Sequence, residues 1–177
     1  VPTERHTLRV VQGAAQLNPL SPWHLARRFL SVAFAADLRA DEQMWVAHHL
    51  GPGSLRLFWL QPVPDRRHSH DVARWVADRL PERTDLIVAA LLHDVGKRHS
   101  ALGPIGRTWA TLLRWVRLPE SARFSLYTRH GPIGAEELAA TGHSGIVVAF
   151  AAHHHEARPD GADPADWQVL AEADHRR

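Results

Sequence analysis

Apolar side chains recur at intervals of three and four residues along nearly the whole chain, and this spacing constrains its fold most. Such spacing puts the apolar residues on one face of an α-helix, whereas a half-buried strand needs strict alternation, which no stretch displays with conviction. Proline, glycine and capping residues separate the apolar segments. The sequence therefore predicts an all-α fold. We predict helices over 21–36, 41–50, 67–80, 84–95, 109–117, 132–140, 144–155 and 164–175.

Residues 61–65, QPVPD, are predicted to form an extended connector, because each proline disfavours helix in the residue before it. We place an organisational boundary there. Residues 1–60 are expected to be a short helical extension packed on the core, and residues 61–177 the functional domain. Apolar residues make up 45% of the chain and charged residues 23%, which is the balance of a globular protein.

Composition excludes several classes of site. The chain has no cysteine, so a bound metal must be held by histidine and carboxylate side chains. The pI near 9.9 arises because arginine replaces lysine, and a net charge of only +2 gives no strong nucleic-acid signal. The missing cysteines also point to a cytoplasmic protein.

No stretch approaches the roughly 20 apolar residues of a membrane span, so no transmembrane segment is expected. The first residues lack the order of charged, apolar and small residues that a signal peptide has. We therefore expect residue 1 to begin the mature chain.

Fourteen histidines are more than a neutral scaffold needs, and helical geometry sorts them. His68 lies four residues before Val72 and seven before Trp75, which places it on the buried stripe of its helix. His70 shares a face with Arg74, so it is predicted to be solvated.

Two aspartates fall on buried stripes in the same way. Asp94 follows Leu91 by three residues, and Asp174 follows Leu170 by four. A buried carboxylate is costly unless it is paired or bound to metal. His93 lies about 100° further round its helix, close enough to reach the same ion as Asp94.

The segment 144–155 is apolar all round, so we expect a central helix. It ends in three successive histidines, 153–155, and periodicity does not choose among them. Three separate helices thus place an ionisable group on an apolar stripe. A shared metal centre explains all of them at once, and imidazole with carboxylate suits Mn, Fe, Co, Ni or Zn.

These residues, in this order, resemble the HD superfamily of metal-dependent phosphohydrolases. The similarity covers about residues 65–175 and rests on five segments in order. They are RHSHDVARWVA (67–77), ALLHDVGK (90–97), RHGPIGAEEL (129–138), HHE (154–156) and LAEAD (170–174). The resemblance implies a helical bundle around one or two divalent ions (Mn, Fe, Co, Ni or Mg), with 61–177 as the metal-binding domain.

The resemblance also implies the ligands. One ion would take His68, His93, Asp94 and Asp174. The other would take His130, His154 and His155, with Asp94 bridging the two. In the family the histidine pair directly before the glutamate coordinates, so His153 is left out.

The resemblance is to a two-metal branch similar to HD-GYP domains, and departures from the pattern of that branch limit the match. The GYP motif of the branch that cleaves cyclic dinucleotides is absent, which argues against that substrate. Some members hold a third metal with a Glu four residues before the first histidine, where this chain has Pro64.

The resemblance predicts hydrolysis of a phosphate ester, with a nucleotide as the expected substrate, through a metal-bridging hydroxide. The enzyme would be a phosphomonoesterase or phosphodiesterase with a small phosphorylated substrate as its partner. The resemblance makes Asp94 and Lys97 the predicted catalytic residues. Lys97, the only lysine in the chain, is predicted to bind a phosphate oxygen, although a helix C-terminal cation is the simpler alternative. The neighbouring cations Arg98, His99 and Arg129 are interpreted as solvated surface groups.

Two alternatives remain open. A non-catalytic HD module would bind a nucleotide without turning it over, although such modules are expected to lose ligands. A di-iron oxygenase of the same helical fold would use the ligands for oxygen chemistry. Oligomeric state does not follow from the sequence.

Overall fold

The computed structural model describes residues 35–100 and 129–176. The described residues form helices and connecting turns and contain no strand, so the predicted all-α fold is confirmed. Its elements are α1 (Ala40–His49), α2 (Pro52–Trp59), α3 (Val63–Ala77), α4 (Thr84–Leu92), a 3-10 segment (Val95–Ser100), α5 (His130–Ala140), α6 (Gly145–His153) and α7 (Pro164–His175). The helix predicted over 109–117, and nearly all of the one over 21–36, lie outside the described residues.

Several helix boundaries follow from local chemistry. Helix α7 begins at Pro164 as predicted, and the Asp163 side chain caps it by accepting hydrogen bonds from the backbone N–H groups of Ala165 and Asp166 at 2.9 and 3.0 Å. Ser144 precedes α6 in an extended conformation, so the helix predicted over 144–155 begins one residue later, at Gly145, and ends two residues earlier, at His153. These helices start where the sequence offers a residue that suits the N-terminal position.

The predicted extended connector over 61–65 is wrong. Helix α3 already begins at Val63, and Pro62 directly before it has φ −57° and ψ 150°. Pro64 lies in the first turn, where a missing N–H removes no intrahelical hydrogen bond. Helix α2, which begins at Pro52 for the same reason, was not predicted. Proline therefore starts helices here.

Helix α4 forms the centre of the described bundle. Every side chain from Leu86 to Leu92 is buried, and α4 packs against α3, α6 and α7. Of the apolar residues of α6, which was predicted to be central, only Val147, Phe150 and Ala151 are buried. Its remaining apolar residues are half-buried. An all-apolar helix surface does not reveal how many neighbouring helices cover it, so the sequence pattern did not show this.

Helix α4 ends at Leu92, so its predicted continuation to Val95 is wrong. The chain then tightens into the 3-10 segment. Gly96 does not end a helix in the left-handed conformation. Its role is close contact, because a Cβ atom there would lie 2.0 Å from the carbonyl oxygen of His130 and 2.8 Å from the Gly134 nitrogen. The 3-10 segment and α5 can approach this closely only with glycine at 96.

Helix α1 covers a face of α3 that was predicted to be solvated. His70 is only 5% exposed, and the Trp45 ring packs edge-on against it at a centroid distance of 5.6 Å. The prediction that His70 is solvated is therefore wrong, because the pattern within α3 cannot reveal a helix that packs on its polar side. The predicted burial of His68 is confirmed.

Ion pairs attach the segment before α3 to that helix. Arg66 donates to Asp37 at 2.6 Å, and Arg67 donates to both carboxylate oxygens of Glu42 at 2.8 Å. Apolar residues before position 60, among them Phe58, belong to the same hydrophobic cluster as α4. The division into 1–60 and 61–177 stays a prediction. Across 35–100 and 129–176, every helix is too short or too polar to pass through a bilayer.

We expect Glu42→Gln to destabilise the fold in a pH-dependent way. The hydrogen bond from Arg67, aided by the Arg39 backbone N–H, lowers the pKa of Glu42 from 4.5 to about 2. A lowered folded-state pKa means that the stabilisation is present above pH 4.5 and is lost as the pH falls toward 2. Urea unfolding should give a loss of about 1 kcal/mol at pH 7 that shrinks between pH 5 and 3. The exposed Glu82→Gln is the control, and a pH-independent difference would contradict the assignment.

We expect Gly96→Ala to destabilise the protein by about 1–3 kcal/mol, the usual cost of overpacking, because the new methyl group would meet backbone atoms that cannot rotate away. Gly53→Ala is the matched control, since its Cβ would meet only Thr141 at 3.8 Å. That change should be neutral or slightly stabilising within a helix. Urea unfolding of both variants checks this, and equal stabilities would contradict the close contact.

Candidate metal centre

The predicted ligands lie at or near helix ends that converge on one point. His93 caps the C-terminus of α4, and His154 caps that of α6. His130 is the first residue of α5, and Asp174 lies in the last turn of α7. His68 alone comes from the interior of a helix, α3.

Asp94 lies at the middle of this group and is fully buried. Its Oδ1 lies 3.5 Å from His130 Nε2 and 3.4 Å from His154 Nε2. Its Oδ2 lies 3.4 Å from His93 Nε2 and accepts a hydrogen bond from Lys97 Nζ at 2.5 Å. The two oxygens of one carboxylate therefore face two different sets of histidines.

The first set forms around Asp174 and the Oδ2 side of Asp94. Asp174 Oδ1 lies 2.8 Å from His68 Nε2 and 3.5 Å from His93 Nε2. Potential ligand atoms of His68, His93 and Asp94 all lie within 4.8 Å of one another. This spacing is compatible with ligands around one ion.

The second set consists of His130, His154 and His155, whose potential ligand atoms also lie within 4.8 Å of one another. The Nε2 atoms of His130 and His154 are 3.3 Å apart. His130 and His154 are buried, whereas His155 is exposed. His153 belongs to neither set, because its ring pairs with Glu156 at 2.9 Å.

Backbone carbonyl groups fix the orientation of two of these rings. His93 Nδ1 lies 2.8 Å from the carbonyl oxygen of Ala90. His154 Nδ1 lies 3.2 Å from the carbonyl oxygens of Phe150 and Ala151. A carbonyl only accepts, so each Nδ1 carries the proton and donates. In the neutral ring, Nε2 then presents its lone pair to the carboxylates, as metal-binding histidines require.

The pKa values reflect a concentrated buried charge. Burial alone would lower the pKa of His93, but the carboxylates of Asp94 and Asp174 outweigh it and raise that pKa to about 10. Burial opposes ionisation of Asp94 and Asp174, yet their histidine neighbours hold both carboxyl pKa values well below the usual range. Without a metal, a proton on His93 therefore partly balances the two carboxylates.

Two buried atoms indicate that a cation fits this centre. His93 Nε2 and Asp94 Oδ1 are inaccessible to solvent and have no hydrogen-bond partner among the described residues. Unsatisfied buried polar atoms are rare because they cost free energy. Both atoms are metal-ligand types, His93 Nε2 in the first set and Asp94 Oδ1 facing the second, so divalent ions held by the two sets would satisfy them.

Of the basic side chains near the centre, some lie where the sequence predicted and others do not. Lys97 is buried with its ammonium group on Asp94, so its binding of a phosphate oxygen stays a prediction. Arg98 and His99 both pair with Glu137, and Arg98 is half-buried, so the view of Arg98 as a solvated group is wrong. Arg129 is exposed, as predicted. Sequence reasoning missed Glu137, although it lies seven residues after His130 on the same helix face.

Residues 67–176 match the HD domain, which covers well over half of the 177-residue chain. The chain belongs to the HD-domain family. The matched range contains all seven predicted ligand residues of this HD domain. HD domains bind divalent metals, and the clusters described above could hold them. No curated protein and no solved structure matches the chain.

We expect His154→Ala to reduce the metal content of the HD domain, because His154 Nε2 faces Asp94. The adjacent His153→Ala is the matched control, since that ring points to Glu156. Elemental analysis after equilibration with Mn²⁺ should show about tenfold weaker metal uptake for His154→Ala than for the wild type. The control should take up as much metal as the wild type. Equal metal content in both variants would contradict the arrangement.

Proposed function

We propose that this HD domain is a metal-dependent phosphohydrolase that cleaves a phosphate ester, with a nucleotide as the substrate class. The observation that carries the proposal is the orientation of Asp94, whose two oxygens face different histidine sets at 3.4–3.5 Å. A carboxylate placed in this way is suited to bridge two divalent ions. The nucleotide rests on the family resemblance rather than on a contact within the described residues.

In this proposal His68, His93, Asp94 and Asp174 hold one ion. His130, His154, His155 and Asp94 hold the other. When bound, two such ions supply a hydroxide nucleophile near neutral pH and neutralise the phosphoryl oxygens.

The chain supplies a rigid and dry floor for this chemistry. His93 and Asp94 are fully buried, so bulk water does not contact their side chains. The backbone carbonyls of Ala90 and Phe150 keep two imidazoles in their orientation. His155 is the exposed ligand, and we assign the substrate approach to its side. Electrostatic catalysis benefits from groups that need no reorganisation during the reaction.

Lys97 has a positioning role in this proposal as well as a binding one. Its Nζ donates to Asp94 Oδ2, the oxygen that faces His93, and its side chain is nearly buried. The ammonium group therefore orients the carboxylate and adds positive charge to the centre. Contact with a phosphate oxygen would require Nζ to reach past Asp94.

We expect Asp94→Asn to lower kcat/KM by about 100-fold or more, because the amide cannot bridge two cations while it keeps the size of the carboxylate. The measurement is a panel of nucleotide monoesters and diesters assayed with Mn²⁺, Co²⁺, Ni²⁺ and Fe²⁺. Asp78→Asn is the control, since Asp78 is exposed at the end of α3.

Three results would contradict the proposal. Asp94→Asn with wild-type turnover on every substrate would remove Asp94 from the reaction. Wild-type protein that binds metal and nucleotide without turnover would favour the non-catalytic module. Iron-dependent consumption of oxygen, with no phosphate release under any metal, would favour the oxygenase.

A further inference from the structure

Three residues on one face of helix α5 contact Asp94 and the 3-10 segment that follows it. His130, Gly134 and Glu137 are separated by four and three residues, so they share one helix face. His130 Nε2 lies 3.5 Å from Asp94 Oδ1. One turn further, a Cβ on Gly134 would lie 3.1 Å from the Gly96 nitrogen. One more turn along, Glu137 meets the side chains that end the 3-10 segment.

Of these three contacts, the one at Glu137 involves the most side-chain hydrogen bonds. Arg98 donates from Nη1 to Glu137 Oε2 at 2.7 Å and from Nη2 to Oε1 at 2.5 Å. His99 Nε2 lies 2.8 Å from the same Oε1. Arg98 Nη1 also donates to the Val95 carbonyl oxygen at 2.9 Å. One bidentate pair therefore ties α5 to the beginning and the end of the 3-10 segment.

We propose that Glu137, held by Arg98, is a positioning residue for His130 and thereby sets the affinity of the second metal ion. This inference rests on the two-ion centre proposed above. Glu137 lies seven residues from His130, about 10 Å along the helix, so it acts through α5 and does not touch the ions. In this proposal α5 would tilt about the close contact between Gly96 and Gly134. The ion pair between Arg98 and Glu137 fixes the angle of α5 relative to the 3-10 segment.

The effect should be confined to one set of ligands. His68 comes from α3, His93 from the end of α4 and Asp174 from α7, so the first set has no ligand on α5. His130 is the first residue of α5 and moves with it. A tilt of α5 would therefore displace His130 from Asp94 Oδ1 and leave the first set in place.

The test is titration of the metal-stripped full chain with Mn²⁺ by calorimetry, together with electron paramagnetic resonance of the spin-coupled pair. For Glu137→Gln we expect the second dissociation constant to rise about tenfold, in the range usual for residues that orient a ligand, and the first to change less than twofold. The coupled signal should fall accordingly. Glu136→Gln is the matched control, because the neighbouring Glu136 is exposed on another face of α5.

Arg98→Lys is a second variant that keeps the charge but cannot form the bidentate pair, and it should also weaken the second site alone. Restoration of the second site in the exchanged pair Arg98→Glu with Glu137→Arg would support the positioning role further. These variants keep the test valid if Glu137→Gln folds poorly.

The outcomes separate this inference from the function it rests on. Wild-type protein that binds fewer than two Mn²⁺ would overturn the two-ion centre and the inference with it. Two ions in wild type, and unchanged affinities in Glu137→Gln and Arg98→Lys, would overturn the inference alone. An equal loss at both sites with a lower melting temperature would assign Glu137 a general structural role, which also overturns it.

Discussion

The burial of the Asp94 carboxylate is the constraint on which the rest of this structure depends. A fully buried carboxylate costs several kcal/mol unless charged or hydrogen-bonding groups surround it. Here those groups come from separate elements: His93 from α4, Lys97 from the 3-10 segment, His130 from α5 and His154 from α6. None of these elements can move away without leaving Asp94 uncompensated. The packing of helices around α4 is therefore also the assembly of the candidate centre.

Helix ends explain how histidines can surround Asp94 in one orientation. The last carbonyl groups of an α-helix have no intrahelical partner. His93 and His154 each follow such an end and return Nδ1–H to a carbonyl three or four residues before. These hydrogen bonds point each Nε2 away from its helix end and toward Asp94. The Phe150 carbonyl also accepts the backbone N–H of His154 at 2.9 Å, so one oxygen holds both the backbone and the ring of that residue.

The sequence was sufficient for several features that depend on one helix at a time, although it missed α2 and misplaced the start of α3 and the end of α4. The burial of His68 and Asp94 and the cap at Asp163 follow from spacing and local chemistry, and the structure agrees. Features that depend on a second helix were missed. His70 is buried because α1 packs on it, and Glu137 forms an ion pair because the 3-10 segment places Arg98 opposite. Periodicity within one element carries no information about which neighbour covers its polar face.

The charge of the centre argues for an anionic substrate. In the absence of metal, protonated His93 and Lys97 offset the carboxylates of Asp94 and Asp174, so the buried cluster is close to neutral. Bound divalent cations would displace the His93 proton and leave an excess of positive charge, which Lys97 increases. Buried uncompensated charge is unfavourable in a low-dielectric interior. With the two ions proposed above, the centre would therefore favour an anion such as a phosphate ester as its substrate.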